Sequence, residues 1–376
     1  MAHQKRHTRT VIYGQVLACI ALLSACDSRD SNDRPRSGSK PKVIAENIDQ
    51  EEALEALRLQ PVTDPVAEKV EAYRKKLAEH FYAQKFDELE KEASAARASK
   101  EVFGNGSWKI AQFYRAFERK NRDAQGIWNV TEDTLNAWLK AFPNSLTARI
   151  AYADFLTDYA WHARGTGYAD TVTPEGWRLM GQRLSKADEV LAEARQLAVP
   201  EKEKDPVLHL VALRVALGKG PDKPAWDKIV VEGRAAEPTF WDYDVARAYS
   251  LLPRWYGEPG EWEAFASEAA ERPDGPGVEV YARIVMHMLD FHKNVFKNSK
   301  ASWPKTKEGL DILLKKYPDS LELLSYAAML ATNAYDNASA KVYFGELGDR
   351  YLEKSTVWPS KESFVHYRKW ARTGKW

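Results

Sequence analysis

The chain contains few cysteines and almost no net charge. Only Cys19 and Cys26 are present among 376 residues, which excludes a disulfide framework, a cysteine-rich zinc site and a CxxC redox motif. The 55 Lys and Arg residues are balanced by 54 Asp and Glu residues, so the basic surface that nucleic-acid binding needs is not predicted. No nucleic-acid partner is therefore expected.

The usual catalytic motifs are also missing from the sequence. HExxH and GxSxG do not occur. Gly104 and Gly106 lack the lysine and hydroxyl spacing of a phosphate loop, so a turn before Trp108 is the better interpretation. His287 and His292 are five residues apart and would not share one face of a helix. We assign no metal, no cofactor and no catalytic residue from these patterns.

The amino terminus has the layout of a secretory signal. A basic segment within residues 1–10 precedes an apolar stretch over residues 11–25, which is too short to span a bilayer comfortably. The stretch ends in Leu23-Ser24-Ala25-Cys26, which resembles the bacterial lipobox. That resemblance implies a signal peptide over residues 1–25, cut before Cys26, whose thiol takes a diacylglycerol. The alternative is an ordinary signal peptide with a chance cysteine.

A lipidated cysteine would tether the protein to a bacterial membrane, facing the periplasm, without crossing it. Asp27 follows Cys26, and the rule that goes with the lipobox in enteric bacteria makes it a signal for the inner membrane. Residues 27–42 carry no apolar side chain, so they cannot contribute to a core. We therefore expect the lipidated cysteine and a flexible linker over residues 26–49, and a folded domain over residues 50–376.

Apolar residues in the remaining chain recur at spacings of three and four, and no segment alternates strictly between apolar and polar residues. Such spacing predicts amphipathic helices that each bury one apolar stripe. Three runs show it: Val66, Val70, Tyr73, Leu77 and Phe81; Leu184, Ala187, Leu191, Ala194 and Ala198; Val278, Tyr281, Val285, Met288, His292 and Phe296. Prolines separate the helical runs, as helix starts and stops require. We expect an all-α domain with no sheet.

A weak internal repeat indicates how these helices are arranged. Residues 135–146 align with residues 310–321, and both segments end in aromatic-Pro-Asx-Ser-Leu before a second helix rich in small residues. This pattern resembles the tetratricopeptide repeat (TPR), and residues 191–217 and 229–252 look like further divergent copies. The sequence therefore predicts an irregular, TPR-like solenoid of helical hairpins, a fold that offers a concave face to a partner.

Three segments together resemble a known bacterial family. They read FGNGSWK at residues 103–109, AWHARGTGYA at 160–169 and LLPRWYGEPG at 251–260. The resemblance is to the domain of unknown function 4034 family, over roughly residues 81–270. It implies a helical fold and brings no established activity with it.

Two of these segments are candidate binding loops, because each places arginine, tryptophan and glycine where a helix ends. Trp and Arg dominate binding hot spots, and guanidinium groups make planar contacts to carboxylates or phosphates. The alternative is structural: the arginines would satisfy helix C-terminal carbonyls or Asp154 and Asp158, and the tryptophans would fill gaps between hairpins. The candidate binding residues are Trp161, Arg164, Gly165, Gly167, Tyr168, Arg254, Trp255 and Gly257.

Two classes of function follow from this sequence. The favoured one is a membrane-tethered module that binds a protein or peptide. The other is an envelope enzyme acting on carbohydrate or peptidoglycan, with stacking tryptophans and two working carboxylates. An enzyme of that kind would place its carboxylates about 5–10 Å apart in an aromatic cleft. The residues considered for it are Trp161, Trp241, Trp255, Asp154, Asp158, Glu258 and Glu261.

Overall fold

The computed structural model describes residues 50–118, 125–167, 169–197, 204–355 and 357–376. The predicted signal peptide, Cys26, the linker up to residue 49, and Tyr168 lie outside these described residues.

Almost all regular structure in the described part is helical, which confirms the predicted all-α fold class. None of these helices has the length and the apolar character needed to cross a bilayer. The described residues form seventeen α-helices, numbered α1 to α17 in chain order: Gln50–Arg58, Pro65–Tyr82, Phe86–Ser99, Lys109–Arg115, Gln125–Ala141, Leu146–Arg164, Pro174–Gln196, Val207–Lys219, Lys223–Ala236, Asp242–Ser250, Glu261–Glu271, Glu279–Met288, Val295–Asn298, Trp303–Lys316, Leu321–Asn333, Asn337–Leu347 and Lys361–Thr373.

The repeated segments form helical hairpins. The aromatic-Pro-Asx-Ser motif joins α5 to α6 and α14 to α15, and each pair of helices packs together. Its serine caps the second helix: Ser145 Oγ accepts a hydrogen bond from the Ala148 amide at 2.9 Å, and Ser320 Oγ accepts one from the Leu323 amide at 3.2 Å. The repeat thus marks a helix start through a specific cap.

The hairpins stack so that helices two apart in sequence also touch. Helix α8 packs on α6 and on α10, and α10 packs on α12. Helix α8 is apolar on nearly all sides and lies buried between its neighbours. This stacking places the end of α6 and the loop after α10 together at the carboxyl-terminal end of α8.

The predicted helix over residues 278–296 is shorter than its apolar spacing indicates. Helix α12 ends at Met288 and is followed by a single 3₁₀ turn, Leu289–Phe291. His292 has an extended backbone and packs against Trp262, with the ring centroids 5.9 Å apart. The apolar spacing continues across this break because both sides face the same core.

A two-stranded parallel ladder departs from the expectation that there would be no sheet. Strand β1, Gln60–Val62, pairs with strand β2, Arg350–Leu352. A strand of three residues is too short to show the alternation of apolar and polar residues by which a strand is identified in a sequence. The two strands are also far apart along the chain, so no local signal marks their pairing.

This ladder is part of a larger contact between the two ends of the helical array, which we call the clasp. It joins residues 52–64 to residues 320–372. Asp64 Oδ2 accepts a hydrogen bond from the Glu322 amide at 2.8 Å. Buried Glu55 on α1 accepts one from Arg372 on α17 at 2.7 Å. The first and last helices of the array are therefore fastened to each other rather than left as separate ends.

The glycine turn at residues 103–107 is buried among later helices. Trp241 Nε1 donates to the Gly106 carbonyl at 3.0 Å, and Arg283 donates to the Asn105 carbonyl at 3.4 Å. Gly106 has a φ of 76°, and a Cβ there would lie 2.1 Å from the Arg283 guanidinium. The turn predicted before Trp108 is present, and it ties α10 and α12 to the amino-terminal helices.

Candidate functional site

The two predicted binding loops meet in space. Trp161, near the end of α6, and Trp255, in the loop after α10, pack edge to face with ring centroids 6.0 Å apart and an interplanar angle of 72°. They lie far apart in the sequence, and the stacking of α6, α8 and α10 brings them together. The two loops therefore form one surface.

A cavity of about 390 Å³ opens between these loops and the start of α7. We call it the aromatic pocket. Its large apolar and aromatic lining residues are Trp161, Trp177, Met180, Leu217, Trp255 and Tyr256. Tyr256 is fixed in place because its hydroxyl donates to the Leu217 carbonyl at 2.7 Å. The pocket volume falls in the lower part of the range for ligand sites, about 300–1,000 Å³.

Glycines shape both loops. Gly165 ends α6 with a φ of 76°, and its amide donates to the Trp161 and His162 carbonyls at 3.1 Å. This is the ordinary helix C-cap role of glycine. Gly257 lies so close to the preceding turn that a Cβ would be 1.9 Å from the Leu251 carbonyl oxygen. Gly257 lines the described pocket, whereas Gly165 shapes the loop after α6. Gly167 contributes its carbonyl to the same loop, as an acceptor for Arg164.

The two candidate arginines have different surroundings. Arg164 is buried, and its Nη1 donates to the Gly165 carbonyl at 3.2 Å and to the Gly167 carbonyl at 3.0 Å. Its guanidinium also lies 5.3 Å from the centre of the Trp177 ring. Arg164 thus has the structural role that the sequence left open, in which an arginine satisfies carbonyls after a helix.

Arg254 lines the pocket and has no such partners. It is half-buried, and within the described residues its guanidinium forms no hydrogen bond or ion pair. Its Nε is buried without an acceptor, and the guanidinium carbon lies 5.3 Å from the centre of the Phe291 ring. A buried donor without an acceptor is costly. Arg254 therefore presents an uncompensated positive charge at the pocket.

Asp154 and Asp158 do not line the pocket. Both carboxylates bind the buried guanidinium of Arg214 on α8. Burial alone would lower the pKa of Arg214, but the two carboxylates hold that pKa above its usual value. The sequence suggested Arg149 or Arg164 as their partner, and the structure pairs them with Arg214 instead. Their role in the described structure is an ion-paired contact between α6 and α8.

The other residues considered for catalysis are also dispersed. Glu258 is exposed, and it is the only carboxylate among the described pocket-lining residues. Glu261 accepts hydrogen bonds from the Glu258 amide at 3.0 Å and from Lys223 at 2.7 Å. Trp241 is buried against the glycine turn. The described pocket therefore lacks the pair of carboxylates that glycoside hydrolysis requires.

His287 and His292, the two histidines singled out in the sequence, pack against aromatic side chains. His287 lies between Tyr249 and Phe291, with ring centroids 5.5 and 5.6 Å away. Burial, with a smaller contribution from the charge of Arg115, lowers the pKa of His287 to about 4. No group of three His, Cys, Asp or Glu side chains with metal-binding geometry occurs within the described ranges.

The sequence interpretation missed pocket-lining residues that belong to regular helices, among them Trp177 and Met180 on α7 and Leu217 on α8. A signal for Trp177 was present. Trp177 extends the apolar stripe of α7 by one turn beyond Met180 and Leu184, yet it is 41% exposed. A tryptophan at the exposed end of a core-facing stripe is a candidate binding residue, because tryptophan is enriched in binding hot spots.

Searches against family models, curated proteins and solved structures found no match to this chain.

Proposed function

We propose that this protein is a lipid-tethered module of the bacterial cell envelope that binds a protein or peptide segment in the aromatic pocket. One observation carries this proposal: Trp161, Trp177 and Trp255 converge on a surface cavity that also holds the unpaired guanidinium of Arg254. Aromatic side chains supply large apolar area, and arginine supplies directional contacts, which is why these residue types dominate binding hot spots.

Binding is favoured over catalysis by the distribution of carboxylates. A retaining or inverting glycosidase needs two carboxyl groups that flank the substrate. Glu258 is the only carboxylate among the described pocket-lining residues. Asp154 and Asp158 lie outside the lining and form ion pairs with Arg214. The pocket therefore has the composition of a recognition site.

The tether is supported by the amino-terminal sequence. The lipobox-like segment at residues 23–26 would supply an acylated cysteine. The polar stretch over residues 27–42 has an r.m.s. span of about 20–24 Å if it is flexible. The folded domain would then stand off the headgroups and leave the pocket free to meet a partner.

The proposal is tested by selecting peptides from a displayed library on the purified chain without residues 1–25. The selected peptides are then measured against two variants. Trp177→Ala removes a pocket residue that is 41% exposed, and Trp376→Ala removes a matched, 54% exposed tryptophan outside the pocket lining. We expect Trp177→Ala to weaken binding at least tenfold and Trp376→Ala to have little effect. If no peptide is enriched, or if both variants bind like the wild type, the proposal is wrong.

A further inference from the structure

We propose that the aromatic pocket takes the carboxy-terminal residue of a partner polypeptide. The free carboxylate binds the guanidinium of Arg254, and an apolar terminal side chain lies among Trp161, Trp177 and Trp255. This inference rests on the proposed function and specifies which part of the partner enters the pocket.

The positive charge of the pocket favours an anionic ligand. Arg164 and Arg254 both line it, against the single exposed carboxylate of Glu258. The described hydrogen bonds of Arg164 go to the carbonyls of its own loop, whereas Arg254 has no described acceptor. An acidic group placed against Arg254 would supply the acceptor that this half-buried cation lacks.

The remaining lining favours a carboxylate over a phosphate. Phosphate sites gather several donors, such as helix N-terminal amides and more than one free cation. The described pocket offers one unpaired guanidinium surrounded by indole, phenol and aliphatic surfaces. A planar carboxylate with one negative charge matches a single guanidinium fork. An apolar body attached to that carboxylate would fill the rest of the cavity.

A carboxy-terminal residue carries both features on one Cα atom. An internal Asp or Glu would place its charge at the end of only one or two methylene groups and leave most of the tryptophan surface uncovered. A cavity of about 390 Å³ has room for one large side chain and its flanking backbone. Glu258 at the rim would repel acidic residues near the terminus, which adds selectivity against acidic tails.

The test is calorimetric titration of the chain without residues 1–25 with a hexapeptide, Gly-Ser-Gly-Ser-Gly-Phe, as the free acid and as the amide. We expect amidation to weaken binding at least tenfold. Arg254→Gln should remove this preference for the acid. Arg178→Gln is the matched control, because Arg178 is an exposed arginine of α7 that pairs with Glu175 and does not line the pocket; it should keep the preference. Arg254→Gln should also leave the melting temperature within about 2 °C of the wild type, since Arg254 has no described ion pair to lose.

The possible results separate the inference from the proposed function. Equal binding of acid and amide, while library peptides still bind, overturns the inference and leaves the proposed function standing. Displacement of the hexapeptide by inorganic phosphate at an equal concentration overturns the carboxylate assignment. Equal affinity for N-acetylphenylalanine and for the hexapeptide overturns the assignment of the ligand to a polypeptide, because a small free acid would then be enough to fill the site. Failure of the free acid to bind the wild type also overturns the inference, whatever the library yields.

Discussion

We expect the stability of the protein to depend on pH through Glu322, a buried carboxyl group of the clasp. It lies in the first turn of α15, is only 8% exposed, and its amide donates to Asp64 Oδ2 at 2.8 Å. Burial, together with the nearby charge of Asp64, raises the pKa of Glu322 to about 8, and Arg74 only partly opposes this. The folded protein therefore keeps a proton on Glu322 at pH values where the unfolded chain has released it.

The sign and size of the effect follow from this difference. Because the pKa of Glu322 is raised in the folded state, protonated Glu322 contributes fully to the free energy of unfolding below pH 4.5. This contribution is lost as the pH rises to about 8. Each unit of pKa difference corresponds to about 1.4 kcal/mol, so the full shift corresponds to about 5 kcal/mol. Between pH 5 and pH 8, about 3 kcal/mol of this would be lost.

The perturbation is Glu322→Gln, which keeps the size of the side chain and cannot ionise. The variant should match the wild type at pH 5 and exceed its stability at pH 8 by about 3 kcal/mol, or roughly 4–5 °C in melting temperature for a chain of this length. Differential scanning calorimetry at both pH values measures this. Glu308→Gln, at an exposed position on α14, is the control and should show no such change. A constant difference between wild type and Glu322→Gln at the two pH values would refute the reasoning.

Three further predictions concern other parts of the molecule. Asp205→Ala should cost about 3–5 kcal/mol in urea denaturation, because it strips buried Arg97 of the carboxylate 3.0 Å away. Gly257→Ala should lower the free energy of unfolding by at least about 1–3 kcal/mol, since its Cβ would meet the Leu251 carbonyl; unchanged denaturation would contradict this. Cys26→Ser should abolish labelling by a fatty-acid probe and leave an unprocessed precursor, and retained label would exclude lipidation at Cys26.

Much of the fold could be predicted from the sequence because its determinants are local. Apolar spacing of three and four identified the helices, and the aromatic-Pro-Asx-Ser motif marked two hairpins whose serines cap the next helix at Ser145 and Ser320. The composition of the loops likewise pointed to Trp161 and Trp255, which the structure places in contact. In each case a few neighbouring residues carry the signal.

Contacts between residues that are distant in the sequence could not be predicted from these local patterns. The sequence could not show that Asp154 and Asp158 pair with Arg214, because that choice depends on how α6 packs on α8. It could not separate the roles of Arg164 and Arg254 either. That difference comes from the direction of two loop carbonyls, which only the folded chain defines.

The clasp has a consequence for the order in which the protein acquires its structure. Residues 52–64 are made early during synthesis, but their partners at residues 320–372 emerge from the ribosome much later. Contacts between residues this distant along a chain form slowly. The amino-terminal helices therefore lack their clasp partners until the distal helices have been made. If the chain is exported as its amino terminus predicts, this delay is useful: translocation requires an unfolded polypeptide, and the array cannot close before its distal helices have been made.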